Sequence, residues 1–428
     1  MGDVEEELNT YAHISFNFGP TLLRWFARYA PDMLLGLRKA DEESAERNGG
    51  HGNAIGQAYH HVILPLANEQ DKRTEVRWGI EDFRHRFGRL PEGMWLAETA
   101  VDLASLEVLA SEGMRWVILA PGQAARVRAT GEKNWKRVSA DTIDTRKPYR
   151  IKLRNGSDIV VFFYGGEASQ GVAFGGWLND GTRMAEQLKS MGNGIVSMAT
   201  DGESYGHHHA RGDMALAYCI KHLRDVHGAS LSNFGAALDA FGELDEAEIH
   251  ENSAWSCSHG VGRWCDNCGC VMDPKMNGKQ QWRKVLRRSL NWLRDEIDEA
   301  SVVAIGGSAS ELWESRDAYI SELIRVETFP GGGLSVLEDA GTVGRVLEAQ
   351  RHRMMMFTSC GWFFDDPTGL ETVQLLRYAG RAIELCEKMG GPNLRKPFLS
   401  RLSRLKSATG KELNGAQIFR HFVEGKSC

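Results

Sequence analysis

No apolar run in the 428 residues reaches the roughly 20 positions that a membrane-spanning helix needs. Basic residues are not in excess either. Lys and Arg total 51 against 57 Asp and Glu, giving a formal net charge of -6. No basic patch dominates, which argues against a nucleic-acid or membrane-surface partner. The opening stretch Met1-Gly2-Asp3-Val4-Glu5-Glu6-Glu7 lacks the basic and apolar regions of a signal peptide, and Glu6 stands where myristoylation wants Ser or Thr. A cytoplasmic protein is therefore expected. No glycine-rich dinucleotide fingerprint follows any apolar run, and there is neither an internal repeat nor a low-complexity tract. Cysteine is sparse, with 8 residues. Cys257, Cys265, Cys268 and Cys270 cluster, whereas Cys219, Cys360, Cys386 and Cys428 are scattered. In a cytosolic chain that pattern favours thiols or a metal over a disulfide framework.

What remains is ordinary globular composition, 42% hydrophobic and 25% charged. The length suits one large α/β barrel plus a smaller domain, or two to three average domains. Ile14-Ser15-Phe16-Asn17-Phe18 reads as a strand closed by Gly19-Pro20, followed by a helix over 22–29. Val76, Ile80, Phe83 and Phe87 step at helical spacing, and Gly88 and Pro91 end that helix. Gly93-Met94-Trp95-Leu96 is a short strand with Glu98 just past its end. Asp102 caps a helix whose Leu103, Leu106 and Leu109 point inward. Further strands are expected over 116–120, 159–164 and 194–199, with a polar excursion over 123–157. Continuously apolar strands alternating with amphipathic helices imply a parallel sheet covered on both faces. Beyond residue 275 the pattern turns helical. One long stripe runs through Trp282, Val285, Leu286, Leu290, Leu293 and Ile297. Helices are also expected over 311–324, through Val343, Val346, Leu347, Gln350 and Met354, and through Val373, Leu376, Ile383 and Cys386, with Gly331-Gly332-Gly333 as a loop.

The chemistry concentrates after the 194–199 run, in Thr200-Asp201-Gly202-Glu203-Ser204-Tyr205-Gly206-His207-His208-His209. Titratable side chains just past a buried strand are how sites on α/β barrels are built. Glu98 and Asp201 both follow candidate strands. Two such carboxyls suit glycosidic-bond cleavage, where one is charged and one donates a proton. By spacing alone they stand level with ordinary surface carboxylates. Trp95 offers an aromatic face for a sugar, or simple core packing. Glu203 and His207 are placed either to bind hydroxyls or to support Asp201.

Three short patterns resemble glycoside hydrolase family 57. Gly93-Met94-Trp95-Leu96-Ala97-Glu98 is similar to its W-L-x-E region, which carries the nucleophile. Thr200-Asp201-Gly202-Glu203-Ser204-Tyr205-Gly206 is similar to its D-G-E-x-(F/Y)-G region, whose Asp is the general acid/base. Tyr59-His60-His61-Val62-Ile63-Leu64-Pro65-Leu66 resembles its Y-x-H-x-I-L-P-L region, which puts His61 at a site position. Ile14 to Pro20, Val76-Arg77-Trp78-Gly79-Ile80, Tyr205 to His209 and Cys360-Gly361-Trp362-Phe363-Phe364-Asp365-Asp366 resemble a bacterial subgroup in which the family domain precedes a domain of unknown function. The resemblance implies an α/β fold with a (β/α)7-type barrel, here incomplete at the N-terminus because the first conserved strand would precede Met1. It implies a barrel catalytic domain over 1–274. A helical domain beside the cleft would follow over 275–428, continuing into a truncated domain of unknown function. It further implies a retaining glycoside hydrolase or transglycosylase on an α-glucan oligosaccharide or polysaccharide, with Glu98 as nucleophile, Asp201 as general acid/base and no cofactor required. A metal-dependent carbohydrate deacetylase using Asp and His ligands is the enzymatic alternative, and a non-catalytic glycan-binding remnant is the other.

Two constellations remain. Trp255-Ser256-Cys257-Ser258-His259-Gly260 and Arg263-Trp264-Cys265-Asp266-Asn267-Cys268-Gly269-Cys270 offer up to five soft or borderline ligands, and a structural zinc needs four. Cys257, His259, Cys268 and Cys270 are the candidate set. Local thiols without a metal, or sugar contacts through His259, Arg263 or Trp264, fit the same residues. In Gly361-Trp362-Phe363-Phe364-Asp365-Asp366, Trp362 and Asp365 are candidate substrate contacts, against a reading as a corner between helices.

Overall fold

The computed structural model describes residues 7–276, 280–328, 335–338, 341–407 and 413–425. The expected Gly331-Gly332-Gly333 loop lies outside the described residues. The chain forms two compact units interleaved in sequence. The first comprises Met1–Gln57, Arg86–Trp95 and Asp102–Glu251, and the second Ala58–His85, Leu96–Val101 and Asn252–Cys428. Among the described residues, no helix is long and apolar enough to cross a membrane.

Among the described residues, the first unit is built on eight strands: β1 Gly56–Gln57, β2 Gly93–Trp95, β3 Trp116–Leu119, β4 Ala124–Arg128, β5 Lys136–Arg137, β6 Tyr149–Lys152, β7 Asp158–Phe163 and β8 Glu246–Ile249. Their order is β1-β2-β3-β7-β6-β8-β4-β5. The run from β1 to β7 is parallel, with Gly56 opposite Met94, Gly93 opposite Trp116 and Leu119 opposite Phe163. β3 is buried at every position, and β7 at all but its first, as expected for parallel strands covered on both faces. A Cβ on Gly93 would lie 2.3 Å from the Trp116 ring, so only glycine lets β2 pass that indole. Asp102 caps the helix Leu103–Ser111, accepting from the Ser105 amide at 2.8 Å. Another core of this unit gathers Trp177, Met184, Leu216 and Ile220. It lies among the helices Gly166–Ala173, Gly181–Ser190 and Gly212–Asp225.

The structure departs from three expectations. The sheet is mixed, because the polar excursion over 123–157 supplies β4, β5 and β6, and β4/β5, β4/β8 and β6/β7 pair antiparallel. Its outward positions carry cross-strand ion pairs such as Arg126 with Glu248 at 2.7 Å, with Trp135 beneath Arg126 and Arg128. Those pairs disguise strands as polar loop. The strand expected over 14–18 shrinks to one bridge, Phe16 with Ala54, since Phe16 and Phe18 turn into an aromatic cluster with Tyr11 and the helix Pro20–Tyr29 starts at once. The stretch 194–199 is not a buried strand. Its hydrogen bonds go to three different partners: the Arg146 carbonyl, the Gly165 amide and the Ser169 hydroxyl. Among the described residues it forms no ladder, and Val196 is 37% exposed.

The second unit is predominantly helical. Its longest helix, Gln281–Ile305, buries Trp282, Leu286, Leu290, Leu293 and Ile297, the expected stripe. The helix expected over 311–324 is two, Ala309–Ala318 and Ile320–Thr328, with the Tyr319 hydroxyl donating to Glu348 at 2.8 Å where they part. Gly341–Met355 and Leu370–Lys388 follow the expected spacings, except that Val343 is exposed. In the interior, Asp71 accepts from Arg316 at 3.0 Å and from Arg353, which also binds Asp298. Burial pushes the Asp71 carboxyl up. The Arg353 and Arg316 charges outweigh it and hold the group below the ordinary carboxylate range.

Candidate active site

Glu98 follows β2 by three residues and belongs to the second unit. It sits in the short turn Ala97–Thr99 at φ 58° and ψ 22°, in the left-handed region, and Thr99 follows at φ 50°. Such non-glycine conformations cost about 1–3 kcal/mol each and survive only where surroundings over-determine them. Here the surroundings are visible. The Trp255 amide reaches both the Glu98 carbonyl at 3.1 Å and the Thr99 hydroxyl at 3.0 Å, and Val101 bridges Ser253. Two side-chain donors then converge on one carboxylate oxygen. Trp255 Nε1 lies 2.9 Å and Ser256 Oγ 2.6 Å from Glu98 Oε2. Among the described residues Oε1 accepts no hydrogen bond. The carboxylate is thus anchored through one oxygen only.

His61, in the same unit, is likewise in the left-handed region, at φ 53°. Its carbonyl accepts from the Ser359 amide at 3.0 Å and its Nδ1 lies 2.7 Å from Ser359 Oγ. Burial pushes the imidazole below its ordinary range, and the nearby Glu98 charge, which acts the other way, does not overcome it. A half-buried neutral ring beside a carboxylate suits hydrogen bonding to a hydroxyl.

Asp201 belongs to the first unit and is exposed. It opens the turn Gly202–Ser204, its carbonyl accepting from the Ser204 amide at 3.1 Å. The segment is set against the end of β7, where the Gly165 amide donates to the Ser197 carbonyl at 2.9 Å. A Cβ on Gly165 would lie 2.7 Å from that oxygen. Tyr164 is buried, and its phenol is pushed up to about 12 by burial and by the Asp201 charge. It therefore stays a protonated donor near that carboxyl. Glu203 and His207 are exposed, and the amides of His207 and His208 both donate to the Glu203 carbonyl. His209 Nε2 lies 2.9 Å from the Ala173 carbonyl. The histidine run is in neither group of converging metal-type ligands found among the described residues. Trp95 is half-buried at the end of β2.

Four candidate sugar contacts are corrected. Trp264 and Trp362 are both 0% exposed. Trp362 stacks on Phe357 and lies under Arg287, with Nε1 donating to the Arg283 carbonyl at 3.3 Å. Neither indole has a face to offer. Arg263 is 5% exposed, donates to the Phe363 carbonyl at 2.8 Å and covers the Phe363 ring. The Asp365 carboxylate, 9% exposed, takes the amides of Met272 and Asp273 at 2.8 Å. These residues brace the corner between helices. His259 is exposed and directs Nδ1 toward Cys270 Sγ at 3.4 Å. The partners that spacing did not single out are Trp255, Ser256, Ser359 and Tyr164. The first two directly precede Cys257 in a stretch already conspicuous for its thiols.

A mixed sheet flanked by helices, followed by a helical region, defines the class, and comparison with known proteins specifies it. Residues 3–241 match the profile described as Glycosyl hydrolase family 57, and residues 279–428 match a domain of unknown function, DUF3536. The chain belongs to glycoside hydrolase family 57. It is 26% identical over 106 residues to Alpha-amylase 1 of Dictyoglomus thermophilum, an alignment spanning 25% of this chain and 15% of that protein. Its fold is similar to that of an exo-type maltose-forming amylase from Pyrococcus sp. ST04, with a TM-score of 0.67 and 14% identity, covering 96% of this chain and 76% of that one. A family 57 branching enzyme from Thermococcus kodakaraensis gives a TM-score of 0.56 at 16% identity, with 94% and 74% covered.

Proposed function

We propose that the protein is a retaining glycoside hydrolase or transglycosylase acting on α-glucan, with Glu98 as nucleophile and Asp201 as general acid/base. The observation that carries this reading is the one-sided anchoring of Glu98. A nucleophilic carboxylate must hold one oxygen on the line of attack. Donors from Trp255 and Ser256 on Oε2 fix the carboxylate and leave Oε1 for that role. Family membership, and the α-glucan enzymes named among its structural relatives, support the substrate class.

In the proposed reaction Asp201, protonated, gives its proton to the departing glycosidic oxygen while Glu98 Oε1 bonds to the anomeric carbon. The leaving sugar departs as an alcohol and a covalent glycosyl-enzyme remains. Asp201, now ionised, takes a proton from water or from an acceptor hydroxyl, whose oxygen displaces Glu98 and restores the original configuration. Neutral His61 binds a hydroxyl, Trp95 packs against a sugar face, and Glu203 and His207 contact the substrate or tune Asp201. The test is incubation with maltooligosaccharides and separation of the products. Hydrolysis yields shorter sugars only, and transfer yields longer ones too. Glu98→Ala and Asp201→Asn abolish either outcome. A folded wild-type protein that leaves every such glucan unchanged, or a Glu98→Ala variant that retains full turnover, refutes the reading.

A further inference from the structure

The Cys257 to Cys270 stretch falls between the two matched regions, 3–241 and 279–428, so neither assigns it a role. Its four ligand-type side chains converge. One sulfur or nitrogen each from Cys257, His259, Cys268 and Cys270 all lie within 4.8 Å of one another. Cys257 Sγ to Cys270 Sγ is 3.7 Å, and Cys270 Sγ to His259 Nδ1 is 3.4 Å. A tetrahedral zinc with Zn–S of about 2.3 Å and Zn–N of about 2.0–2.1 Å has edges of about 3.8 Å between sulfurs and about 3.6 Å between sulfur and nitrogen. The contacts in the loop fit those edges. They do not fit a disulfide, whose sulfurs sit about 2.05 Å apart. Cys265, fifth in the sequence pattern, turns away and donates to the Val261 carbonyl at 3.5 Å.

We propose that Cys257, His259, Cys268 and Cys270 form a closed structural zinc site that fixes the loop supplying the two donors to Glu98. Four protein ligands leave no open position, which marks a structural rather than a catalytic zinc. The surroundings suit three thiolates on one dication, a centre of net charge −1. The Cys270 amide donates to Cys268 Sγ at 3.4 Å. The fully buried Arg283 reaches the same sulfur at 3.9 Å and the Cys270 carbonyl at 2.7 Å. The other guanidinium nitrogen of Arg283 holds the Phe363 and Phe364 carbonyls at 3.2 Å, tying the loop to its neighbouring helix. Cys257 follows Ser256 and stands two residues after Trp255, so a bound metal would pin the backbone that aims both donors. That last link rests on the proposed role of Glu98, whereas the metal site stands by itself.

The test is metal analysis of the full chain purified under reducing conditions without chelator, alongside cobalt substitution and limited proteolysis. One zinc per chain is expected, with thiolate-to-cobalt charge-transfer absorption in the substituted protein and faster cleavage within 252–276 after zinc removal. Cys268→Ser and Cys270→Ser lose the metal, and Cys265→Ser keeps it. A wild-type chain that carries no zinc and takes up none from solution overturns the proposal, as does a Cys268→Ser/Cys270→Ser variant with undiminished zinc. Stoichiometric zinc in a protein inert toward glucans would refute the proposed function and leave the metal site standing.

Discussion

Deleting the donors to Glu98 tests whether they aim the nucleophile. Ser256→Ala removes the 2.6 Å bond to Oε2 and leaves the 2.9 Å indole bond, while Trp255→Phe does the converse and preserves most of the ring. A hydrogen bond to a charged group contributes about 1.5–3 kcal/mol, which bounds each loss at about 10–150-fold in rate. Glu98 gives up charge as it bonds to carbon, so part of each bond is already surrendered in the transition state. Each single variant is therefore expected near the lower bound, about tenfold in kcat/KM. The double variant is different, because no donor then stops the carboxylate from rotating. Its loss should exceed the product of the single losses, with a coupling of about 0.5–3 kcal/mol. The assay is initial-rate hydrolysis or transfer on a maltooligosaccharide, with circular dichroism and thermal melting to verify folding. A folded double variant at wild-type kcat/KM would refute the positioning argument.

Two other perturbations report on separate parts of the structure. Gly165→Ala puts a Cβ 2.7 Å from the Ser197 carbonyl and pushes the segment leading to Asp201 away, so kcat/KM should fall about 100-fold with the fold retained. An unchanged rate would contradict that placement. Asp71→Asn removes the charge facing Arg316 and Arg353 and should cost about 3–5 kcal/mol in urea unfolding at neutral pH. Because the folded-state value of Asp71 is lowered, its contribution is complete above the ordinary carboxylate range. It is lost as pH falls through the folded value, so the Asn variant should lose stability less steeply on acidification.

The sequence carried the helical region well. A stripe such as Leu286, Leu290, Leu293 and Ile297 buries one face whatever the neighbours are, and Asp102 is a local cap. Strands with two buried faces, β3 and β7, were equally legible. β4 was not, because the partners that neutralise its charges are distant in sequence: Arg126 and Arg128 meet Glu248 and Glu246. Near the 194–199 run, apolar composition overstated order, since its hydrogen bonds go to unrelated elements. In the site, the glutamate and aspartate motifs marked positions but not partners. Trp264 and Trp362 suit a core as well as a sugar face, and burial decides for the core. Trp255 and Ser256, 157 and 158 positions from Glu98, carried no periodic or spacing signal of their own.

Trapping a covalent glycosyl bond on Glu98 decides whether this carboxylate is the nucleophile. In Asp201→Asn the acid/base is missing, so with a maltosyl donor bearing a good leaving group the glycosyl-enzyme should form and persist. Mass spectrometry of the proteolysed protein should then find one added glycosyl unit on the peptide containing Glu98, removable by azide. An adduct on any other side chain, or an active wild-type enzyme that releases products of inverted configuration, would rule out Glu98 as the nucleophile of a retaining reaction.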